Sequence, residues 1–495
     1  MPEPVPLLTH LLKNISLLSL SLLTLPLTST LVAICLLLNF LYPLQPPPTL
    51  PSKRKHTVLI SSLAMGKGLS LARAFHKAGH TVIGVDFSST HFAGCTVPSA
   101  GRFSRALEKY FTVATPHDVA SRKAYEDDML RLIKAEGVDL WICVSGVAST
   151  VEDALLKHKI EKETRCKVFQ PSPETVETLH EKHRFINCVA AAGLKVPTTV
   201  LVESRHEVFE ALEKYQGAEF IIKCVEPDGA SRADMTLLPQ PTKAATKRFV
   251  DSLDISPKKR WVVQQFVRGK EYCTHAVVVK GKVKAFVACE SCEMLMAYAA
   301  LPAAGRLHRA MLSFTQHMAQ ILEDGNVTGQ LSFDFMVEEG EREVTLFPIE
   351  CNPRTHTAVI LLSQHPRMLA DAYLSLLGEK VNGELAADTI YQLSPEDTTT
   401  GHYYYWVGYE LVVNFLYPLL QAFLLKLSLL DALKEALGFA AKVLCWKDAM
   451  FETWDPLPWW WLYHVYYPGI FLTSLVTGRR WRRVTVSTTT VYESC

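Results

Sequence analysis

The stretch of residues 330–356 constrains this chain most, because it has the pattern of two strands joined by a polar turn. In LSFDFMV an apolar row alternates with Ser332, Asp334 and Met336, which is the period of a strand with one buried face. The run EVTLFPIE returns after the acidic turn Glu338–Glu343. The pattern therefore predicts a β-hairpin.

This hairpin would bring several oxygen ligands together. Asp334 lies on the first strand, and Glu350 and Asn352 lie at the end of the second. Two carboxylates and a side-chain amide on a rigid sheet suit Mg²⁺ ions that bridge phosphates. Arg354, two residues further on, is suited to bind a phosphate oxygen on which charge builds up. The alternative is an ordinary hairpin with a solvated acidic face.

Composition bounds the class of protein. The chain has 495 residues, which is enough for roughly two to four domains. A net charge of +1 gives no electrostatic reason to expect a nucleic-acid partner. The 12 cysteines lack the spacing of a disulfide framework, which favours a reducing compartment. Cys289 and Cys292 form one C-x-x-C, and no second pair follows at zinc spacing.

Residues 1–52 are predicted to form a membrane anchor, with membrane lipid as a partner, and a proline-rich linker, QPPPTLPS. The segment Ile15–Leu44 has no charged residue and is long enough to cross a bilayer, either as one span or, because of Pro26, as a re-entrant hairpin. A buried core helix is the alternative. Basic residues 53–55 outnumber Lys13 on the other side, so the positive-inside tendency predicts a catalytic domain that faces the cytoplasm.

Residues 53–172 have the alternating pattern of a Rossmann-like domain: the strand TVLISS, the glycine turn AMGKG, the helix LSLARAFHKAG and the strand HTVIGVD. Gly66 and Gly68 open a helix and Asp86 follows, but the third small residue of a dinucleotide fingerprint is missing. NAD is therefore only weakly indicated. Loops such as Ser145–Ser149, at the carboxyl ends of strands, are where a small substrate would lie, with structural turns as the alternative.

Residues 173–390 carry two lysines of interest. A helix carries Lys182, and the strand EFIIKCV carries Lys223. A lone ammonium group in a buried strand is costly, so Lys223 indicates an anion nearby. Either lysine could instead be an ordinary surface residue.

A loop and a connector follow in the same unit. The loop Asp228–Asp234 is rich in small and polar residues and contains Arg232, which could bind a substrate carboxylate or be solvated. The connector Gln264–Val267 offers main-chain N–H and C=O groups to an adenine edge. Glu271, just beyond it, could accept hydrogen bonds from ribose hydroxyls.

The order of these parts resembles the ATP-grasp superfamily over roughly residues 56–385. The resemblance implies an α/β fold in which a Rossmann-like domain precedes a two-lobed α+β ATP-grasp domain, and it implies ATP and Mg²⁺ as cofactors. One departure is Gln264–Gln265, where many members have an acidic residue. The implied roles are phosphate contacts for Lys182, Lys223 and Arg354, adenosine binding for Gln264, Gln265, Val267 and Glu271, Mg²⁺ ligands for Asp334, Glu350 and Asn352, and a lid for residues 228–234.

Four strings, ARAFHKAGH, GKEYCTHAVV, TGQLSFDF and IECNPRTHTA, resemble the mycosporine-glycine synthase ligases of mycosporine biosynthesis. This resemblance implies ATP-dependent condensation of glycine with the cyclohexenone 4-deoxygadusol through an enol phosphate. His275 and His356 would bind the polar ring or take the amine proton, unless they are structural. Two other functions stay open: a carboxylate–amine ligase that acts through an acyl phosphate, and a membrane-bound scaffold that binds nucleotide without turnover.

Residues 391–495 contain further apolar, aromatic-rich runs, HYYYWVGYELVVNFLYPLLQAFLL and WDPLPWWWLYHVYYPGIFLTSLV. The basic cluster Arg479–Arg483 follows the second run. Tryptophan and tyrosine in this abundance suit the headgroup level of a bilayer. We therefore expect helices that lie in the membrane interface, with a second span or a hydrophobic cap on the ligase core as alternatives.

Overall fold

The computed structural model describes residues 5–42, 54–87, 91–92, 95–144, 146, 149–225, 234–291, 296–340, 344–378, 389–394 and 403–493. The predicted α/β fold class is confirmed, because a five-stranded parallel sheet is followed by three- and four-stranded antiparallel sheets. The strands are β1 (Thr57–Ser61), β2 (Thr81–Phe87), β3 (His91–Phe92), β4 (Cys95–Thr96), β5 (Lys109–Val113), β6 (Leu140–Ile142), β7 (Lys167–Phe169), β8 (Thr199–Val202), β9 (Phe220–Cys224), β10 (Trp261–Gln265), β11 (Lys270–Val279), β12 (Lys282–Glu290), β13 (Ala297–Ala299), β14 (Gly329–Glu339), β15 (Val344–Asn352), β16 (Tyr403–Tyr405), β17 (Lys447–Asp448), β18 (Trp481–Thr485) and β19 (Thr490–Glu493).

Helices cover both faces of the parallel sheet and flank the antiparallel sheets. They are α1 (Leu7–Leu41), α2 (Gly66–Lys77), α3 (Val119–Glu136), α4 (Thr150–Glu163), α5 (Pro173–His180), α6 (Lys182–Ala191), α7 (Arg205–Lys214), α8 (Lys243–Asp251), α9 (Arg306–Ile321), α10 (Pro366–Leu374), α11 (Val407–Glu410), α12 (Tyr417–Phe423), α13 (Leu429–Cys445), α14 (Leu457–Trp461) and α15 (Tyr467–Thr477). Short 3₁₀ helices are Ala100–Phe103, Leu322–Gly325, Thr357–Gln364 and Ser375–Leu377, and the π-helical turns Leu411–Leu416 and Leu462–Tyr466 join α11 to α12 and α14 to α15.

The leading domain is built on the parallel sheet, in the order β5-β2-β1-β6-β7. Its central strand is buried on both faces, which is why β1 is a continuous apolar run rather than an alternating one. The first turn of α2 needs Gly68, because a Cβ atom there would lie 2.6 Å from the carbonyl oxygen of Ser62. The glycine turn is therefore required by close packing between strand and helix.

The following unit contains the two antiparallel sheets. The smaller has the order β8-β10-β9 and shares a core with α7 and α8. The larger has the order β12-β11-β14-β15 and packs on α9, where Phe314 meets the buried rings of Phe333 and Phe335 edge-on. The predicted hairpin is the pair β14–β15 at the edge of the larger sheet.

The helix predicted to carry Lys182 and to end at Gly193 is the second of two successive helices, α5 and α6. Glu181 separates α5 from α6 because its backbone is extended, with a ψ of 116°. Lys182 is therefore the first residue of α6, a helix that packs on β15. The break directs the lysine side chain towards the hairpin.

The C-terminal extension, residues 403–493, packs on the leading domain and on the larger sheet. Its strand β16 pairs with β13, and fully buried Asp455 accepts a hydrogen bond of 2.8 Å from Nε of Arg73 on α2. Trp459 and Tyr466 are buried. The expectation that this aromatic run lies at the headgroup level is thus wrong for these residues, since their rings fill the core beside α2, as in the hydrophobic-cap alternative.

Helix α1 continues through Pro26, so the re-entrant hairpin is wrong. It is the one helix in the described ranges that is long and apolar enough to cross a membrane, judged by length and composition. A polar stripe of Asn14, Ser21 and Thr28 runs along it at seven-residue spacing. Asn14 Oδ1 accepts from Trp481 at 3.0 Å, Ser21 Oγ donates to the carbonyl of Tyr463 at 2.9 Å, and Thr28 Oγ1 lies 2.7 Å from Nε2 of His464. Helix α1 therefore lies along α14 and α15.

Candidate active site

The hairpin β14–β15 positions the predicted metal ligands. Asp334 lies directly opposite Glu350, and Ser332 lies opposite Asn352. The strand pairing shifts by a bulge just after Asp334, a feature that re-aims side chains near functional sites. The structure therefore brings the two carboxylates and the amide together.

Without a cation, the ionised carboxylates of Asp334 and Glu350 are electrostatically unfavourable next to each other. Burial and the carboxylates of Glu350 and Glu271 raise the pKa of Asp334 well above its usual value, while Arg354 and Lys182 oppose the shift. Nδ2 of Asn352 donates to Oδ2 of Asp334 at 3.1 Å, and Nζ of Lys182 lies 3.0 Å from Oε2 of Glu350. Like-charged carboxylates at such a site need a cation to be ionised together.

The donor set fits Mg²⁺. Oδ1 of Asp334 is buried and has no hydrogen-bond partner within the part of the chain that the structure describes. Carboxylate and amide oxygens are the ligands that a hard divalent cation prefers. Asp334, Glu350 and Asn352 therefore provide the residues that would hold the ion.

A second set of ligand atoms suits a metal less well. Cys273, Asp334 and His356 each have one ligand atom within 4.8 Å of the others. Cys273 Sγ lies 3.3 Å from Sγ of Cys289, and this hydrogen bond together with burial raises the pKa of the Cys273 thiol well above its usual value. A soft metal binds the thiolate rather than the thiol, so the oxygen set is the better site.

The residues predicted to bind the nucleotide line the smaller sheet and the start of β11. Lys223 is on β9, paired with Val262 of β10. Nε2 of Gln264 donates to Thr199 Oγ1 at 3.4 Å, and Oε1 of Gln265 accepts from the Thr198 main chain at 3.1 Å. Both glutamine amides thus bond within the protein, and the main-chain N–H groups of Gln265 and Phe266 donate to the carbonyls of Thr198 and Glu219. Buried Val267 is therefore the connector residue whose main chain could meet an adenine edge.

Glu271, the residue predicted to bind ribose, lies near the acidic pair. Its carboxylate is near enough to raise the pKa of Asp334. Its Oε1 also accepts a hydrogen bond from Ser291 Oγ at 3.3 Å. The structure therefore groups Glu271 with Asp334 and Glu350.

The two predicted histidines are adjacent and differ in their environment. His275 is fully buried, and its pKa is far below the usual value because of burial and the charges of His356 and Lys67. The main-chain N–H of His356 donates to Nδ1 of His275 at 3.4 Å, which assigns the ring proton to Nε2. Nδ1 of His356 accepts from the N–H of Ala358 at 3.2 Å, so its proton is on Nε2 too. Both rings are hydrogen-bond donors.

Sequence reasoning missed Lys67. This lysine of the glycine turn AMGKG is buried, and its Nζ donates to the carbonyl of Thr355 at 2.6 Å. Burial and the charge of Arg354 hold its pKa well below the usual value. A lysine between two glycines was visible in the sequence, but nothing there connected it to the hairpin.

Gln330 was also missed as a site residue. Its Nε2 donates to the carbonyl of Cys143 in the leading domain at 3.0 Å, and its Oε1 accepts from the hydroxyls of Tyr373, at 2.8 Å, and Thr355. This buried amide thus joins the parallel sheet to the loop that follows the hairpin. Its position at the start of the hairpin was the available signal.

Some predicted residues lie outside the described ones. These are Arg232 with most of the predicted lid, residues 228–233, and also Ser145, residues 147–148 and Cys292. At the carboxyl edge of the parallel sheet there is a cavity of about 240 Å³ lined by Asp86, Ser99, Ser149 and Tyr466, among others.

The weak dinucleotide indication does not fit this edge of the sheet. The Asp86 carboxyl accepts hydrogen bonds from Ser99 and Tyr110, and burial raises its pKa to about 6. Met450 and Trp406 of the extension cover Gly66, with atoms 3.2 and 3.5 Å from where a Cβ atom would be. Protein therefore covers Gly66 itself, while the cavity lies beside Ala64 and Met65 of the same turn.

No protein-family model matches this chain, and no curated protein matches its sequence. Among solved structures, it is similar to an L-amino acid ligase from Bacillus licheniformis, with a TM-score of 0.44 and 14% identity, covering 62% of this chain and 69% of that one. It is similar to N5-carboxyaminoimidazole synthetase from Staphylococcus aureus complexed with ADP, with a TM-score of 0.47 and 14% identity over 66% and 79% of the two chains. It is also similar to biotin carboxylase from Campylobacter jejuni, with a TM-score of 0.48 and 11% identity over 67% of this chain and 73% of that one. With every TM-score below 0.5, none of these proteins defines the function of this chain.

Proposed function

We propose that this protein is an ATP-dependent ligase that forms a C–N bond between an amine and a small anionic acceptor and releases ADP and phosphate. The opposed carboxylates of Asp334 and Glu350 carry the proposal. Two carboxylates this close destabilise each other unless a cation neutralises them. Their neighbours Asn352 and Lys182, with contacts of 3.1 and 3.0 Å, complete a set suited to metal ions and phosphate.

The chain's own residues would hold ATP in an extended pose. Lys182 and Lys223 contact phosphate oxygens, the connector Gln264–Val267 meets the adenine edge through its main chain, and Arg354 binds the γ-phosphoryl oxygens. Mg²⁺, when bound by the hairpin, neutralises charge on the β- and γ-phosphates. Positioning and charge neutralisation of this kind supply most of the catalysis in phosphoryl transfer.

For the acceptor we propose 4-deoxygadusol, with glycine as the amine, on the basis of the four sequence strings given above. An oxygen of its enolate takes the γ-phosphoryl group of ATP, and the β–γ bridging bond breaks to release ADP. The glycine amine then adds to the activated carbon, the C–O bond to phosphate breaks, and a proton goes to the leaving phosphate. His356, whose Nε2 carries a proton, binds the ring oxygen rather than accepting the amine proton.

We propose further that the protein associates with a membrane through α1, with its catalytic part facing the cytoplasm. The polar stripe of α1 is bonded to the C-terminal helices, and its other face exposes leucines such as Leu8, Leu22, Leu23 and Leu27. At about 1.5 Å per residue the helix is roughly 50 Å long, well beyond the roughly 30 Å of a hydrocarbon core. These two features favour a helix that lies in the membrane plane over a perpendicular span.

The test is a reaction of the full-length protein with ATP, Mg²⁺, glycine and 4-deoxygadusol. We expect a new ultraviolet-absorbing product that forms in a 1:1 ratio with ADP and phosphate. Replacement of 4-deoxygadusol by a panel of small carboxylic acids, with hydroxylamine to trap acyl phosphates, tests the carboxylate alternative. Absence of acceptor-dependent ADP release in every arm would overturn the ligase proposal and favour a nucleotide-binding scaffold.

A further inference from the structure

Three buried hydrogen-bond donors from distant parts of the chain are linked to residues 355–356, just beyond the hairpin, either directly or through the ring of Tyr298. Lys67 comes from the leading domain, His275 from β11 and Trp406 from the C-terminal extension, and each is at most 4% exposed. Nε2 of His275 and Nε1 of Trp406 have no hydrogen-bond partner among the described residues. The ammonium group of Lys67 donates to one carbonyl, that of Thr355, at 2.6 Å.

These donors belong to one contiguous cluster. A Cβ atom on Gly66, the residue before Lys67, would lie 3.6 Å from Nε1 of Trp406. The Tyr298 ring lies between Trp406 and His356, with centroid distances of 5.8 and 6.3 Å. His356 in turn bonds His275 through its main chain. The charge of Lys67 reaches His275, since it contributes to the low pKa of that ring.

The cluster is costly without an anion. Within the described ranges, no carboxylate pairs with Lys67, and Arg354 adds a second positive charge nearby. Burial of an ammonium group opposite a single neutral oxygen is strongly unfavourable. His275 and Trp406 supply two further donors and no charge. A bound anion would supply these groups with hydrogen-bond acceptors and with the missing negative charge.

We propose that Lys67, His275 and Trp406 form the anion-binding wall of the acceptor site, and that the acceptor carries a delocalised oxyanion, either the enolate of a 1,3-dicarbonyl or a carboxylate. This inference rests on the proposed ligase function and deepens it. Such an anion has two equivalent oxygens. The wall binds one of them and leaves the other facing Arg354 and the hairpin for phosphorylation. The C-terminal extension then contributes part of the active site through Trp406.

The experiment measures binding of three probes to the full-length protein by calorimetry in the presence of Mg²⁺ and ADP. Cyclohexane-1,3-dione represents the enolate, benzoate represents the carboxylate, and cyclohex-2-enone is a neutral ring of similar size. We expect one or both anionic probes to bind and the neutral ring to bind at least tenfold more weakly. The stronger of the two anionic probes identifies the source of the oxyanion.

Two variants and a control locate the binding groups. Lys67→Met should lower the affinity for the anionic probe by about 100-fold. Trp406→Phe, which keeps an aromatic ring but removes the N–H donor, should lower it by about tenfold. Trp141→Phe is the control, because Trp141 is a fully buried tryptophan of the leading domain whose Nε1 also lacks a partner among the described residues. It should bind the probes as the wild type does.

Thermal unfolding separates a binding role from a structural one. If Lys67 is a lone buried charge that binds the anion, Lys67→Met should have an unchanged or higher unfolding temperature. If its hydrogen bond is purely structural, the substitution would lower the unfolding temperature and leave the affinity for the probes unchanged. Wild-type affinity for the anionic probes in Lys67→Met, or failure of both probes to bind the wild type, would overturn the inference. Affinity for Mg²⁺ and ADP, measured separately, should not change in Lys67→Met. If the wild type does not bind Mg²⁺ and ADP, the ligase proposal fails independently of the result for the anionic probes.

Discussion

At the scale of single residues, the site is defined by charges that oppose one another. Asp334 and Glu350 face each other across two strands, and Lys182 and Arg354 oppose the rise in the pKa of Asp334. Side-chain exposure is low enough that these interactions are only partly screened by solvent. Substitutions in this group should therefore change activity far more than stability.

We expect Glu350→Gln to lower turnover by about 100-fold or more, because the amide cannot neutralise a divalent cation and loses the charge contact with Lys182. Steady-state ADP release measures this. Glu338→Gln, an exposed acid on the same hairpin, is the control and should retain wild-type turnover. Equal activity in Glu350→Gln and the wild type would contradict the assignment of the metal ligands.

A second prediction concerns Asp153 on α4. Burial raises its pKa to about 7 from an ordinary value of 3.8, against a hydrogen bond from Tyr125. The folded state thus holds this proton more tightly, and the stability that it contributes is present below 3.8 and is lost as pH rises through 7. Relative to Asp153→Asn, the wild type should lose up to about 1.4 kcal/mol per pH unit in this window. Urea unfolding at several pH values measures the difference, and parallel profiles would contradict it.

The sequence predicted one group of site residues and missed another for a physical reason. Asp334, Glu350 and Asn352 lie on one hairpin, where strand alternation and a short turn determine which side chains meet. Lys67 meets Thr355 across 288 residues. No local period connects such residues, because the contact depends on how the leading domain packs on the larger sheet.

At the scale of elements, the C-terminal extension is joined to the leading domain by a buried ion pair. Arg73 of α2 bonds Asp455, which also accepts from Ser104 Oγ, at 2.6 Å, and from the N–H of Arg105, at 2.8 Å. Removal of one partner leaves the other charge buried. The carboxylate of Asp455 is therefore one of the groups that fix the segment carrying Trp454 and α14 to the leading domain.

We expect Asp455→Ala to lower the free energy of unfolding by about 3–5 kcal/mol, the cost of leaving a buried charge unpaired. Asp127→Ala removes the acid of an exposed pair with Lys123, 3.0 Å apart, and should cost about 1 kcal/mol or less. Denaturant unfolding of both variants gives the comparison. A similar cost for the two would mean that the Arg73–Asp455 pair contributes little to holding the extension.

Helix α1 has a packing face that a hydropathy profile does not show. The length and apolar character of the segment were evident, and both exist in the structure. The three polar residues at seven-residue spacing were evident too, but a run of leucines obscured them. They specify a packing face, and their partners lie in helices whose position the sequence does not reveal.

At the scale of the whole molecule, exposed apolar residues of the described ranges concentrate on three helices, α1, α12 and α13. On α12 they include Tyr417, Leu420 and Phe423. The outer face of α1 exposes Leu23 and Leu27, and α13 exposes Leu430, Leu437 and Leu444. So many exposed apolar side chains on three helices are unusual for a soluble monomer. It fits contact with lipid.

We expect the double substitution Leu23→Asp and Leu27→Asp to abolish sedimentation of the protein with phospholipid vesicles and to leave ADP release unchanged, because both side chains point away from the site. Val119→Asp, an equally exposed apolar residue on α3 of the leading domain, is the control and should sediment as the wild type does. Vesicle binding that survives the double substitution would mean that α1 is not the membrane-contacting element.

The pairing of α1 with the far end of the chain has a consequence for biosynthesis. Ser21 and Tyr463 are separated by 442 residues, so α1 emerges from the ribosome long before its partners have been translated. Its leucines must meanwhile be sheltered by a bilayer or a chaperone. Trp406 and the helices beyond it are translated much later than α1, and the nascent polypeptide is therefore able to reach a membrane before it is able to complete the proposed acceptor site.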